Sequence, residues 1–380
     1  MSTGATSICP RRRTQVQYPL WSPMLIVDAH EDIAWNALTF ARDVRRSAHQ
    51  TRGLEARSDA PRVCGPAMLG LPDWLAGGIA VVFGTLFVAP EHKRQGLWDL
   101  QTYRTPQEAH HRASVQLDYY HRLADDTPAI RLIRSKSDLE AVLATWAEGS
   151  DLQNRQVGIV VVMEGADPIL EPKEAEGWFE RDVRIFGLSW VGTRYAGGTG
   201  EPGPLTPLGR ELLEVLADLG AILDLSHASE RAFFEELDRY EGAVIASHSN
   251  PQAFVPGDRQ LSDTQIVRLA ERDGVIGIVP YNRMLKAGWR RGDNRAEVTV
   301  RDVAAAIDYV CQRVGDARHV GIGSDFDGGF GADQAPVEID TVADLAKIAP
   351  ALGEMGYGDE DIAAIMGGNW LRVLRAALPD

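Results

Sequence analysis

The chain has 380 residues, 44% apolar and 24% charged, with a formal net charge of −15. Those proportions are those of a globular protein with a large core, and the length does not by itself require two domains, because one barrel domain with insertions reaches this size. The acidic balance excludes two partner classes, since no basic surplus is available to neutralise nucleic-acid phosphates or to hold an anionic membrane surface.

Residues 1–23 read as an N-terminal tail and 24–380 as a single barrel domain. The tail contains Arg11-Arg12-Arg13, a short solvated run, and lacks the apolar stretch of a secretory signal. No segment approaches the ~18 uninterrupted apolar residues that span a bilayer. A cytoplasmic location is the expectation. Cys9, Cys64 and Cys311 are few and widely spaced, with no CxxC, so neither a disulfide framework nor a thiolate metal site is indicated.

From residue 24 onward, short apolar runs recur, each followed by polar or glycine-rich residues. They are Met24–Val27, Ile79–Val88, Val157–Met163, Arg184–Ser189, Ala221–Leu225, Ala243–Ala246, Val275–Val279 and Val320–Gly323. The runs are continuous rather than alternating, the pattern of parallel strands buried on both faces. Helical periodicity fills the gaps, most clearly over Pro207–Leu219, Glu230–Tyr240, Ser262–Arg272 and Val300–Val314. Strand alternating with helix predicts an α/β fold, a (β/α)₈ TIM barrel. A doubly wound open sheet would want a glycine-rich phosphate turn, and no GxGxxG occurs. Ala89 to Gln156 is longer than one barrel helix needs. It predicts an insertion after the second strand, with helices near Gln107–Ala124 and Ser137–Ala147. Gly197–Pro207 reads as a loop at the mouth, and Asp359–Ala377 as terminal helices covering the barrel.

Barrel enzymes set their catalytic groups at the C-terminal ends of the strands. His30, His227 and His248 stand directly after the first, fifth and sixth runs. Glu164 and Asp325 hold the same position after the third and eighth, and Asp32 lies two residues beyond His30. Three imidazoles and three carboxylates suit a divalent metal of borderline hardness, zinc above all. Six such groups exceed the needs of one tetrahedral ion with an open position, and they fit two zinc ions ~3.5–4 Å apart sharing a ligand. His30 and Asp32 would serve one ion, and His227 and His248 the other. Glu164 is the natural bridge, because its two oxygens can face two cations. His49, His92, His110, His111, His121 and His319 lack this placement. His319 precedes its strand and is expected at the barrel's other end.

Several segments carry a more specific likeness. Asp28-Ala29-His30-Glu31-Asp32, Met163-Glu164-Gly165, Asp224-Leu225-Ser226-His227, Ser247-His248-Ser249-Asn250, Gly321-Ile322-Gly323-Ser324-Asp325-Phe326-Asp327-Gly328 and Gly368-Asn369-Trp370 occur in this order. Together they resemble the motifs of the membrane (renal) dipeptidase family, over about Leu25 to Ala377. The resemblance implies metal roles for His30, Asp32, Glu164, His227 and His248. It implies that Arg259 binds the substrate's terminal carboxylate, a task suited to its planar fork. It implies a dipeptide substrate, tolerance of a D-residue on its C-terminal side, and a homodimer.

In the implied mechanism a hydroxide between the metals attacks the amide carbonyl. Asp325 takes the water's proton and passes it to the leaving amine. Two departures stand out. Trp190 occupies the position after the fourth strand where the family often has histidine, which bears on the intermediate and on substrate range. Glu31 stands where the family often has asparagine, which bears on the substrate's amino group. Trp190 leaves open a second reading, cleavage of N-acyl amino acids, lactams or lactones. A third is a non-catalytic metal-binding protein, against which the full set of candidate ligands speaks.

Overall fold

The computed structural model describes residues 24–380, so the assigned tail lies outside the described residues, as does Cys9. Eight parallel strands form the centre: β1 (Ile26–Glu31), β2 (Ile79–Phe87), β3 (Val157–Glu164), β4 (Val183–Gly187), β5 (Ile222–Asp224), β6 (Val244–Ile245), β7 (Ile276–Ile278) and β8 (Val320–Ile322). Neighbours in sequence are neighbours in space, and β8 pairs back onto β1 through Asp28 and Ile322. A parallel bridge between Ala246 and Ile276 joins β6 to β7 and completes the ring. The expected TIM barrel is therefore present. Its strands are buried along nearly their whole length, as continuous Val/Ile runs require when the inside is packed and the outside is covered by helices.

Four expected helices form almost where periodicity sets them, at Pro207–Asp218, Glu230–Arg239, Asp263–Glu271 and Val300–Val314. Ser262 caps the third through a reciprocal bond with Gln265, which satisfies two of the backbone donors a helix start leaves free. The insertion after β2 carries the helices Pro106–Asp126 and Lys136–Ala144.

The structure departs from the sequence reading at several places. β1 runs on to Glu31, because pairing continues from Glu31 to Gly84 on one side and to Phe326 on the other; His30 thus lies within the strand rather than after it. Ile130–Leu132 forms a short strand alongside the start of β3. The expected loop at 197–207 is an antiparallel hairpin of Ala196–Gly198 with Glu201–Leu205. The terminal helix is interrupted by a π-type turn over Ala364–Gly368 between Asp359–Ala363 and Asn369–Ala377. Beyond that turn Trp370 donates its indole N–H to Ile322 O at 3.0 Å and lies over Gly321, fastening the terminal helix to β8.

Among the described residues Cys64 and Cys311 are buried free thiols. Among the described residues no helix is long and apolar enough to cross a membrane.

One close approach shapes the site. The carbonyl of Ser247, at the end of β6, lies against Gly277 of β7 and Gly323 after β8, and a Cβ on either glycine would collide with it. Backbone cannot yield as a flexible side chain can. Gly277→Ala is therefore expected to lower unfolding stability by about 1–3 kcal/mol in urea denaturation. A change below about 0.5 kcal/mol, the range of an ordinary surface substitution, would mean the approach is looser than described.

Candidate metal centre

The ends of β1, β3, β5, β6 and β8 bring the six expected groups to one mouth. Glu164 ends β3, and its carboxylate is the meeting point. One oxygen, Oε2, lies 3.5 Å from His30 Nε2. The other, Oε1, lies 3.2 Å from His227 Nε2 and 3.4 Å from His248 Nε2. The Nε2 atoms of His227 and His248 are only 3.1 Å apart. Asp32 Oδ2 faces His30 Nε2 at 3.9 Å, and one oxygen of Asp325 lies in the same group as His30 and Asp32.

Backbone shape directs two of these side chains. His227 and Asp325 sit in the left-handed region at φ 66° and 58°, which non-glycine residues seldom adopt and which recurs at functional sites. Asp325 N–H bonds to His30 O at 3.0 Å, tying the turn after β8 to the end of β1. A further layer orients the ring. Thr85 donates its hydroxyl to Asp32 Oδ1 at 2.8 Å, leaving Oδ2 for the centre. Thr199, on the hairpin, lies 3.1 Å from His227 Nδ1. Ser247 Oγ lies 2.8 Å from His248 Nδ1 and donates to Asp224 Oδ2 at 2.5 Å. Sequence reasoning missed Thr85, Thr199, Asp224 and Ser247 as site residues. Asp224 and Ser247 stood inside quoted motifs, whereas nothing local marks Thr85 or Thr199.

The electrostatics are those of a cation site. Burial lowers the pKa of His30, but Glu164, Asp32 and Asp325 outweigh it and hold the imidazole up at about 9, so this spot favours positive charge. Burial, with Arg259 contributing, pushes His227 down to about 4 and His248 well below its ordinary value. Both rings are neutral, and their Nε2 atoms face one carboxylate oxygen. Burial, reinforced by Glu164, raises Asp325 to about 7.

The centre opens into a cavity of about 340 Å³ lined by Asp32, Glu164, His227, Arg259, Asp325 and an apolar wall that includes Trp35, Phe87 and Trp190. Trp190 packs edge-on against Phe87 at 4.9 Å and lies 6.2 Å from the His227 ring. The position after β4 therefore faces the cavity, with an indole in place of an imidazole. Arg259 donates to Ser249 Oγ at 3.0 Å and His248 O at 2.7 Å, and no carboxylate pairs with it among the described residues. Glu31 is fully buried and accepts from Trp74 Nε1 at 3.0 Å, away from the cavity, so it is not placed to touch a substrate's amino group. His319 bonds to Gly274 O at 2.9 Å beside the start of β8, at the opposite end.

The sequence profile of the membrane dipeptidase family, peptidase family M19, matches residues 15–378. The chain belongs to that family. Membership makes it a dipeptidase-type, metal-dependent hydrolase. Among relatives, the uncharacterized protein in the pqqA 5′ region of Klebsiella pneumoniae is 29% identical over 263 residues, covering 67% of this chain and 91% of that one. The dipeptidase tcpJ of Claviceps purpurea is 34% identical over 176 residues, covering 45% of this chain and 38% of its own length. Among solved structures, the probable dipeptidase PvdM from Pseudomonas aeruginosa superposes with a TM-score of 0.75 at 23% identity, covering 93% of this chain and 96% of that one. A metallo peptidase from Rhodobacter sphaeroides, liganded with a phosphinate mimic of L-Ala-D-Ala, gives 0.75 at 22% identity, covering 93% and 99%. This membrane dipeptidase family member thus shares both the barrel and the sequence profile of the group.

Behind β5 lies a titratable group of another kind. Glu236 is fully buried, and neither of its oxygens has a partner among the described residues. Burial, with Asp224 adding to it, pushes its pKa up to about 8 from an ordinary 4.5. Between those values the folded chain holds a proton that the unfolded chain has lost, so stability falls as pH rises from 4.5 to 8. Glu236→Gln keeps the shape without the titration. Its thermal midpoint is expected to match wild type near pH 4.5 and to exceed it at pH 8; parallel profiles in the two proteins would contradict this.

Proposed function

We propose that the protein is a two-zinc dipeptidase. The observation that carries this reading is the shared Glu164 carboxylate, with one oxygen toward His30 and the other toward His227 and His248. The donor set fits a pair of divalent cations. His30 Nε2 is buried without a hydrogen-bond partner among the described residues, and two neutral imidazole nitrogens face each other at 3.1 Å, an arrangement that cations between them would relieve. His30 and Asp32 would hold one zinc and His227 and His248 the other, with Glu164 contacting both. When bound, such ions lower the pKa of water from 15.7 to about 7 and polarise a carbonyl oxygen.

The chain's own residues would do the rest. Arg259, unpaired and facing the cavity, would fork onto the substrate's terminal carboxylate and so select short substrates, because a longer peptide has no carboxylate at that distance from the scissile bond. Asp325, with its carboxyl near 7, is suited to accept a proton from the attacking water and return it to the leaving nitrogen. The apolar wall of Trp35, Phe87 and Trp190 would exclude water around the acyl side. A D-residue on the C-terminal side is supported by the relative crystallised with a mimic of L-Ala-D-Ala.

The same aromatic wall favours a second reading, an apolar N-acyl amino acid, which also offers a carboxylate to Arg259. Chelation is expected to abolish hydrolysis of an L,D-dipeptide, with zinc restoring it as about two ions per chain return. Turnover of N-acyl amino acids but not of dipeptides would move the assignment to the second reading. Asp325→Asn is expected to lower kcat by about 10²–10⁴ with two zinc ions still bound, and a full kcat would remove its proton-transfer role.

A further inference from the structure

A metal-ligating imidazole must present one bare nitrogen, so its other nitrogen must carry the proton and give it to something. His30 and His248 lie on different strands and would serve different ions. Both are fully buried, and their rings lie against each other, tilted by 30° with centroids 3.6 Å apart. Their Nδ1 atoms converge on one atom, Ser247 Oγ, at 3.4 Å from His30 and 2.8 Å from His248. It is the one hydrogen-bond partner each Nδ1 has among the described residues.

The hydroxyl's proton is committed elsewhere. Ser247 donates it to Asp224 Oδ2 at 2.5 Å, while Asp224 Oδ1 accepts the backbone N–H groups of Ser226 and Ser247 at 3.0 and 2.9 Å. With its proton directed at a carboxylate, Ser247 Oγ can only accept from the two rings. Ser226 Oγ, 3.3 Å away, is its remaining polar neighbour. Both imidazoles are thereby set to keep a proton on Nδ1, so that with metal bound both Nε2 atoms are the ones turned to the cations. The carbonyl of Ser247 is wedged against Gly277 and Gly323, which fixes the backbone that carries the hydroxyl.

We infer that Ser247, anchored by Asp224, is a single positioning residue for both metal sites. It is an outer counterpart to Glu164 that fixes the tautomer and orientation of His30 and His248 together. His227 is served separately. Thr199 Oγ1 donates to His227 O at 3.4 Å and accepts from its Nδ1 at 3.1 Å. The two hydroxyls therefore make different predictions: loss of Thr199 should touch one ion, and loss of Ser247 should touch both.

This inference rests on the two-zinc reading, and the test separates the two. Metal-stripped wild type, Ser247→Ala and Thr199→Ala are titrated with zinc against a chromophoric chelator, and thermal midpoints of the stripped proteins report folding. Wild type is expected to bind two equivalents. Ser247→Ala should weaken both by about 10–100-fold, and Thr199→Ala should weaken one and leave the other at wild-type affinity. A Ser247→Ala protein that keeps either equivalent at wild-type affinity overturns the inference while leaving the two-zinc reading intact. A wild type that binds no zinc overturns the reading itself. Should Ser247→Ala fail to fold, ¹⁵N-histidine spectra of zinc-loaded wild type decide the matter. Nδ1–H with Nε2 ligation at both His30 and His248 is expected, and Nδ1 ligation at either overturns it.

Discussion

Everything at the mouth of the barrel depends on one carboxylate being shared. Glu164 closes β3 between the strand that carries His30 and those that carry His227 and His248, and its two oxygens face different imidazoles. Without compensating positive charge the cluster is unfavourable. Asp32, Glu164 and Asp325 crowd one side, and two neutral imidazoles meet nitrogen to nitrogen on the other. Burial, reinforced by the charge of Glu164, drives Asp325 up, and the attraction of the same carboxylates holds His30 up against the effect of burial. The same groups would satisfy one another around divalent cations. The fold thus holds a cluster whose members are mutually unfavourable alone and complementary to divalent metal.

A barrel can hold such a cluster because strand ends are rigid and their neighbours are numerous. Most candidate ligands have a second contact that leaves one atom free. Thr85 occupies one oxygen of Asp32, Thr199 one nitrogen of His227, and Ser247 one nitrogen each of His30 and His248. The backbone contributes through left-handed turns at His227 and Asp325 and through glycines that let β6, β7 and β8 approach closely. Arg259 joins the arrangement from the loop after β6, braced on His248 O and Ser249, with its charge left for a ligand.

Much of this was legible in the sequence, for a physical reason. Strands buried on both faces must be continuous apolar runs, so the eight runs from Met24 to Gly323 announced the barrel, and residues at their ends had to converge. His30, Glu164, His227, His248 and Asp325 follow from that rule alone. Arg259 does not, since no period or strand end marks it; only the family likeness singled it out. Thr85 and Thr199 were invisible for another reason. Their partners lie 53 and 28 residues away, and a hydroxyl's role is set by what packs against it. The hairpin at 196–205 escaped because its glycines and prolines read as a loop, and its pairing is decided by contact with the strand ends. Glu31 shows the opposite failure. Its motif position suggested a substrate contact, but the strand continues through it and turns it toward Trp74.

The most direct test of the shared carboxylate is anomalous diffraction from crystals of the zinc-loaded protein at the metal's absorption edge. The account predicts two peaks about 3.5–4 Å apart, both in contact with Glu164, one beside His30 and Asp32 and the other beside His227 and His248. A single peak, or a pair of peaks that does not touch Glu164, would contradict it.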